Sequence, residues 1–160
     1  MKQTSRSKKG MRHMLTIRFY DPSDVHNDQL VFAVIITRHG KQWVFCKHKD
    51  RETYEFPGGH HEIGETIRQT AKRELYEETG ALDYELKQVC AYSVTGRTTV
   101  NDSGEERFGM LFFADVRTFE PELHYEIENL LITDVLPQNW TYPEIQPVLM
   151  EKAISSLKRL

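Results

Sequence analysis

A chain of 160 residues, 39% hydrophobic and 28% charged, is long enough to bury a real core and is expected to be an ordinary soluble protein of one domain. Its formal net charge of −3 supplies no overall attraction for nucleic acid or an anionic membrane, so neither is an expected partner. The longest apolar run, Leu30 to Ile36, is far too short to cross a bilayer.

Residues 1–12 carry Lys2, Arg6, Lys8, Lys9 and Arg12 and read as a basic, disordered tail. No apolar h-region follows, so this is not a secretory signal. Residues 13–160 are then expected to form the single domain. Cys46 and Cys90 lie in apolar segments without C-x-x-C spacing. They read as buried structural thiols and suit a reducing cytoplasm.

Along the chain, Leu30 to Thr37 is a continuous, β-branched apolar run and predicts a strand buried on both faces. His39-Gly40 supplies a turn, and Gln42 to Lys47 returns as its hairpin partner. Tyr54-Glu55-Phe56 reads as a short strand, and Pro57-Gly58-Gly59 as a tight turn. A helix follows from about Glu65 to Thr79, with Gly80 as its stop signal. Tyr84 to Thr95 and Arg107 to Phe119 predict strands joined through a loop at Asn101-Asp102-Ser103-Gly104. Leu130 to Leu136 is one more strand. Ile145, Leu149, Ala153, Leu157 and Leu160 mark a final helix. It starts either at a Thr141/Glu144 capping box or later, near Pro147. Mixed strands with helices packed on them make a layered α/β domain.

The first helix carries Glu74, Glu77 and Glu78 at i, i+3 and i+4, so three carboxylates share one face. Of the three, only Glu77 has a basic residue one turn back, Arg73. Ile67, Ala71 and Leu75 form the apolar stripe, and the acids fall beside it, near the buried edge. Crowded, half-desolvated carboxylates titrate high unless a cation neutralises them. Mg²⁺, a hard ion that accepts carboxylates, waters and phosphates, would do so. From these residues alone a solvated acidic face remains an equal alternative. The glycines before the helix favour the cation, because they let a backbone carbonyl come close to it.

The segment resembles the Nudix box, G-x5-E-x7-R-E-U-x-E-E-x-G-U, where U is a bulky aliphatic residue. Gly59, Glu65, Arg73-Glu74-Leu75, Glu77-Glu78 and Gly80 all match, and only Ala81 departs, being small. The resemblance implies an α/β/α sandwich with a mixed β-sheet, a catalytic loop-helix and a C-terminal helix. It implies that Glu74, Glu77 and Glu78 bind Mg²⁺ or Mn²⁺, with the Gly59 carbonyl as a further ligand. Glu65 and Arg73 would hold the loop-helix geometry as an ion pair, and Arg73 would orient the glutamates. The reaction implied is hydrolysis of a nucleoside diphosphate linked to a group X. Glu78 is a candidate general base, and Glu105, Glu106, Glu126 and Glu128 are others outside the box.

Glu55-Phe56-Pro57-Gly58-Gly59 is similar to the segment before the box in MutT-type enzymes. Lys49-Asp50-Arg51 followed by Tyr54-Glu55-Phe56 is similar to bacterial 8-oxo-dGTP diphosphatases of that group. Gly96-Arg97 and Thr98-Thr99 stand where ADP-ribose and diadenosine polyphosphate enzymes carry their proline and tyrosine. The expected substrate is therefore a (d)NTP such as 8-oxo-dGTP, cleaved to NMP and pyrophosphate. An RNA 5′-pyrophosphohydrolase, or a non-enzymatic nucleotide-binding regulatory module, is the alternative. Lys47, Lys49, Arg51 and Arg97 are phosphate-anchor candidates on charge, and His60 and His61 stand where they could meet phosphate. Phe32, Trp43, Phe45 and Tyr92 are candidates for the wall against the base.

Overall fold

The computed structural model describes residues 15–122 and 127–158. The basic tail, Glu126 and Leu160 lie outside that range. The elements are β1 (Thr16–Tyr20), β2 (Leu30–His39), β3 (Gln42–His48), β4 (Gly58–His60), α1 (Ile67–Thr79), β5 (Ala81–Thr95), β6 (Arg107–Phe119), β7 (Ile127–Thr133) and α2 (Gln146–Leu157). The seven strands form one mixed sheet in the order β1-β5-β6-β2-β3-β7, with β4 also paired to β2. Strands β2 and β6 run parallel, and their neighbours are antiparallel.

Alternation along the strands explains both apolar layers. Ala33 and Ile35 of β2, with Phe112, Ala114 and Val116 of β6, point to one face, where Ile67, Ala71 and Leu75 of α1 cover them. Ile36 and Leu111 point to the other, against Leu149, Met150 and Ala153 of α2. A sheet covered on both faces is why Leu30–Ile36 has no polar side. Each buried Ile or Leu on α1 contributes about 1.5–3 kcal/mol to this packing. Among the described residues no helix is long and apolar enough to cross a membrane.

Helix α1 starts at Ile67, two residues after the expected Glu65 and at the first residue of its apolar stripe. Thr66 caps it, accepting from the Gln69 amide at 3.1 Å while Gln69 accepts from the Thr66 amide at 2.8 Å. Gly80 ends it in the left-handed region at φ 72°. Helix α2 takes the later of its two possible starts. Pro147 sits in its first turn, where a missing N–H costs nothing. The last strand is Ile127–Thr133 rather than 130–136, because it follows the register of β3.

The expected tight turn at Gly58-Gly59 is not a turn. These residues are β4, paired with β2 as Val34↔Gly58, Ala33↔Gly59 and Phe32↔His60. Residues 54–56 form isolated bridges only, Cys46↔Glu55 and Tyr54↔Trp140. Strand β2 pairs with β3 only at Arg38↔Trp43 and His39↔Gln42. Beyond that the two strands part, and residues 54–61 enter between them. The Ile35 amide donates to Pro57 on one side (2.8 Å), and the Cys46 amide to Glu55 on the other (2.8 Å). This wedge delivers the glycines beneath α1.

Candidate active site

A cavity of about 620 Å³ opens where β2 and β3 part. Helix α1 lines it with Arg73, Glu74, Glu77 and Glu78, the wedge with Glu55, Gly58, Gly59 and His60, and the end of β3 with His48. Phe32 and Tyr92 form part of its apolar wall. Their rings stack with centroids 6.2 Å apart at 20°.

Glu78 is nearly fully buried, at 6% exposure. Its Oε1 accepts from the Gly58 amide at 2.6 Å, and His48 Nε2 donates to its Oε2 at 2.9 Å. Glu74 lies over Gly59, where any Cβ would overlap its carboxylate. The glycine is therefore required by the side chain above it rather than by a turn. Arg73 organises the rest. Its Nε and Nη2 reach both oxygens of Glu65 at 2.8 and 3.1 Å, and Nη2 also donates to the His60 carbonyl at 2.9 Å. The third nitrogen, Nη1, is closer to Glu74 (2.8 Å) than to Glu77 (3.4 Å). One turn of spacing suggests Glu77 as the Arg73 partner. The guanidinium instead folds toward the loop, because the fork on Glu65 fixes its plane.

The electrostatics divide the acids into two kinds. The fork from Arg73 holds the Glu65 carboxyl down at about 2. Burial, then the charge of Glu78, pushes the Glu74 carboxyl up to about 7. Burial likewise raises Glu55, with Glu78 adding to it. The bond to Glu78 raises His48 despite its own burial. A buried carboxyl pushed up to about 7 beside its neighbouring acids and one bound arginine marks a site short of positive charge. Oxygen donors in that condition fit a hard divalent cation.

Of the basic residues singled out from sequence, Arg51 and His60 line the cavity. Lys49 and Arg97 are exposed and are not among its lining residues. Lys47 is buried, with Glu52 at 3.9 Å. His61 turns away from the cavity and meets the Leu30 and Glu65 carbonyls at 2.9 and 2.7 Å. Trp43 and Phe45 pack around Phe56 in the core. Glu106 is committed elsewhere, accepting from Tyr20 and Ser93 at 2.7 Å each. Glu105 does not line the cavity.

The residues not anticipated are His48, Glu55, Arg107, Tyr142 and Gln146, all lining the cavity. Only His48 had a local signal, since it alternates with Cys46 on the same face of a strand that ends there. The others arrive through long-range pairing. Tyr142, for example, meets the Arg51 guanidinium, and Gln146 accepts from the Phe56 amide at 2.8 Å.

Known proteins agree with this architecture. A NUDIX domain family model matches residues 27–146. A Bacillus subtilis (strain 168) protein, YtkD, whose name carries a provisional 8-oxo-dGTP diphosphatase assignment, is 33% identical over 129 residues, covering 79% of this chain and 77% of that protein. The crystal structure of a mutant form of the Bacillus subtilis pyrophosphohydrolase BsRppH superposes with a TM-score of 0.72 at 27% identity, covering 91% of each chain. A MutT NUDIX hydrolase from Burkholderia pseudomallei shares the fold, with a TM-score of 0.61 at 21% identity, covering 77% of this chain and 96% of that one. The chain belongs to the Nudix family of divalent-metal-dependent hydrolases, which act on pyrophosphate bonds.

Proposed function

We propose that this protein is a Mg²⁺-dependent nucleoside triphosphate pyrophosphohydrolase that takes a (d)NTP such as 8-oxo-dGTP and water to the NMP and pyrophosphate. The observation that carries this reading is one cavity with two unlike kinds of lining. Carboxylates form one, and the stacked Phe32–Tyr92 pair belongs to the other. A triphosphate has an anionic chain for the first and a flat base for the second. The provisional name of the 33% identical relative supports the choice of base.

Glu74, Glu77, Glu78 and the Gly59 backbone would hold the ion, with Mg²⁺ favoured over Mn²⁺. When bound, it supplies positive charge against the phosphate oxygens and makes a water easier to deprotonate. The protein's own part is positional. Arg73 and Glu65 brace the loop against α1, which holds the glutamates in place. Glu78 is fixed by two donors and is the candidate to accept the proton of the attacking water. Arg51 and His60 stand where phosphate oxygens would pass.

The test is product release with Mg²⁺ from 8-oxo-dGTP, the ordinary dNTPs, ADP-ribose and a 5′-triphosphorylated RNA, with Glu77→Gln alongside. Pyrophosphate from 8-oxo-dGTP, lost in EDTA and in the variant, is the expected result. Turnover of the RNA alone would move the substrate to RNA ends. Tight nucleotide binding without turnover would make the protein a regulatory module instead.

A further inference from the structure

Cys46 Sγ, a ring nitrogen of His48 and a Glu78 carboxylate oxygen all lie within 4.8 Å of one another beside the cavity. Cys46 and His48 are two residues apart on β3, so their side chains leave the same face of the strand. Glu78 meets them from α1. His48 and Glu78 line the cavity, and Cys46 is fully buried. The plain account of each member is adequate alone. The thiol donates to the Glu55 carbonyl at 3.3 Å, and the imidazole holds Glu78. Neither account explains why sulfur, nitrogen and carboxylate oxygen converge.

We propose that Cys46, His48 and Glu78 form a second metal site, selective for a thiophilic ion such as Zn²⁺ or Co²⁺, which shares Glu78 with the Mg²⁺ set and so inhibits the enzyme. Three protein ligands of S, N and O type suit a tetrahedral ion whose fourth ligand is water. Bonds of about 2.0–2.3 Å place tetrahedral ligands roughly 3.3–3.7 Å apart, so the 2.9 Å between His48 and Glu78 opens slightly and the cluster, whose atoms lie within 4.8 Å of one another, draws in around the ion. Mg²⁺ has little affinity for thiolate and demands octahedral oxygen. The two ions therefore do not compete for Cys46, only for Glu78. The inhibitory half of the proposal rests on the reading of Glu78 given above. The binding half does not.

The experiment is a Co²⁺ titration of the whole protein in excess Mg²⁺, followed by absorption. Wild type is expected to develop a thiolate-to-cobalt charge-transfer band with intense tetrahedral d–d bands, saturating at one ion per chain. Cys90→Ser keeps the band and Cys46→Ser loses it. The serine hydroxyl can still donate to the Glu55 carbonyl, and Cys46→Ala serves if the serine variant does not fold. Wild-type absorption decides the matter even without variants, because Co²⁺ bound with no thiolate band overturns the site. A band that survives in a folded Cys46 variant overturns it equally. Zn²⁺ added to Mg²⁺-supported turnover is expected to inhibit wild type at least tenfold more strongly than Cys46→Ser. Equal inhibition would overturn the regulatory half. Turnover with Mg²⁺ alone tests the proposed reaction separately.

Discussion

His48 Nε2 lies 2.9 Å from Glu78 Oε2, and the Gly58 amide holds the other oxygen at 2.6 Å. A carboxylate cannot donate, so this imidazole nitrogen carries the proton. Two donors from two different segments fix one buried acid on α1.

Removing one of them should free Glu78 to rotate. A hydrogen bond to a charged group contributes about 1.5–3 kcal/mol, so His48→Ala is expected to lower kcat by about 10- to 100-fold. KM for the nucleotide should change much less. His48→Gln, which keeps a donor on the same face, should recover part of the loss. Steady-state kinetics on the three proteins checks this, and an unchanged kcat in His48→Ala would remove the positioning role.

The Arg73–Glu65 fork makes a stability prediction in acid. Glu65 titrates near 4.5 when unfolded and at about 2 when folded. The folded state therefore binds fewer protons between those values, and the fork's contribution is complete above about 4.5 and lost as pH falls through about 2. Urea midpoints from pH 6 to pH 2 should fall more steeply for wild type than for Glu65→Gln.

Glu74 shows the opposite sign. Its carboxyl rises from 4.5 to about 7 on folding. The folded state now binds more protons over that interval, so the residue costs stability as pH rises through it. In EDTA at pH 8, Glu74→Gln should melt higher than wild type, and at pH 4 the difference should vanish. Added Mg²⁺ should raise the wild-type Tm and leave the variant nearly unmoved. A wild type that melts higher in EDTA at pH 8 would contradict this.

Substrate anchoring separates the basic residues by position. Arg51 lines the cavity, while Lys49 and Arg97 are exposed outside its lining. Arg51→Ala is expected to raise KM about tenfold, whereas Lys49→Ala and Arg97→Ala should stay within about twofold. Kinetics with the preferred nucleotide distinguishes them.

What could be read from the chain follows the range of the forces involved. Helix α1, its cap at Gly80 and the clustering of Glu74 with Glu78 rest on neighbours within about a turn, so spacing reveals them. The fork from Arg73 to Glu65, by contrast, is implied by the family resemblance, and spacing alone points to Glu77. The strands of the core follow from their apolar runs. Spacing did not show that Gly58-Gly59 is a strand, because β4 exists only through pairing with β2 some 25 residues upstream. Nor did it assign His48, whose role depends on Glu78 thirty residues downstream. Charge alone could not separate Arg51 from Lys49. That difference lies in which way two residues of one turn face, and Glu55 and Tyr142 decide it for Arg51.

The parting of β2 and β3 has a consequence for how such a protein can diverge. The carboxylates sit on the helix and wedge, whereas Thr98, Val100, Asn101 and Arg107 line the cavity from the β5–β6 connection and its edges. The acids and these four residues thus occupy separate stretches of chain. Under the proposed reaction, substitutions within 98–107 would alter which nucleotide fits while leaving the ion-holding residues untouched.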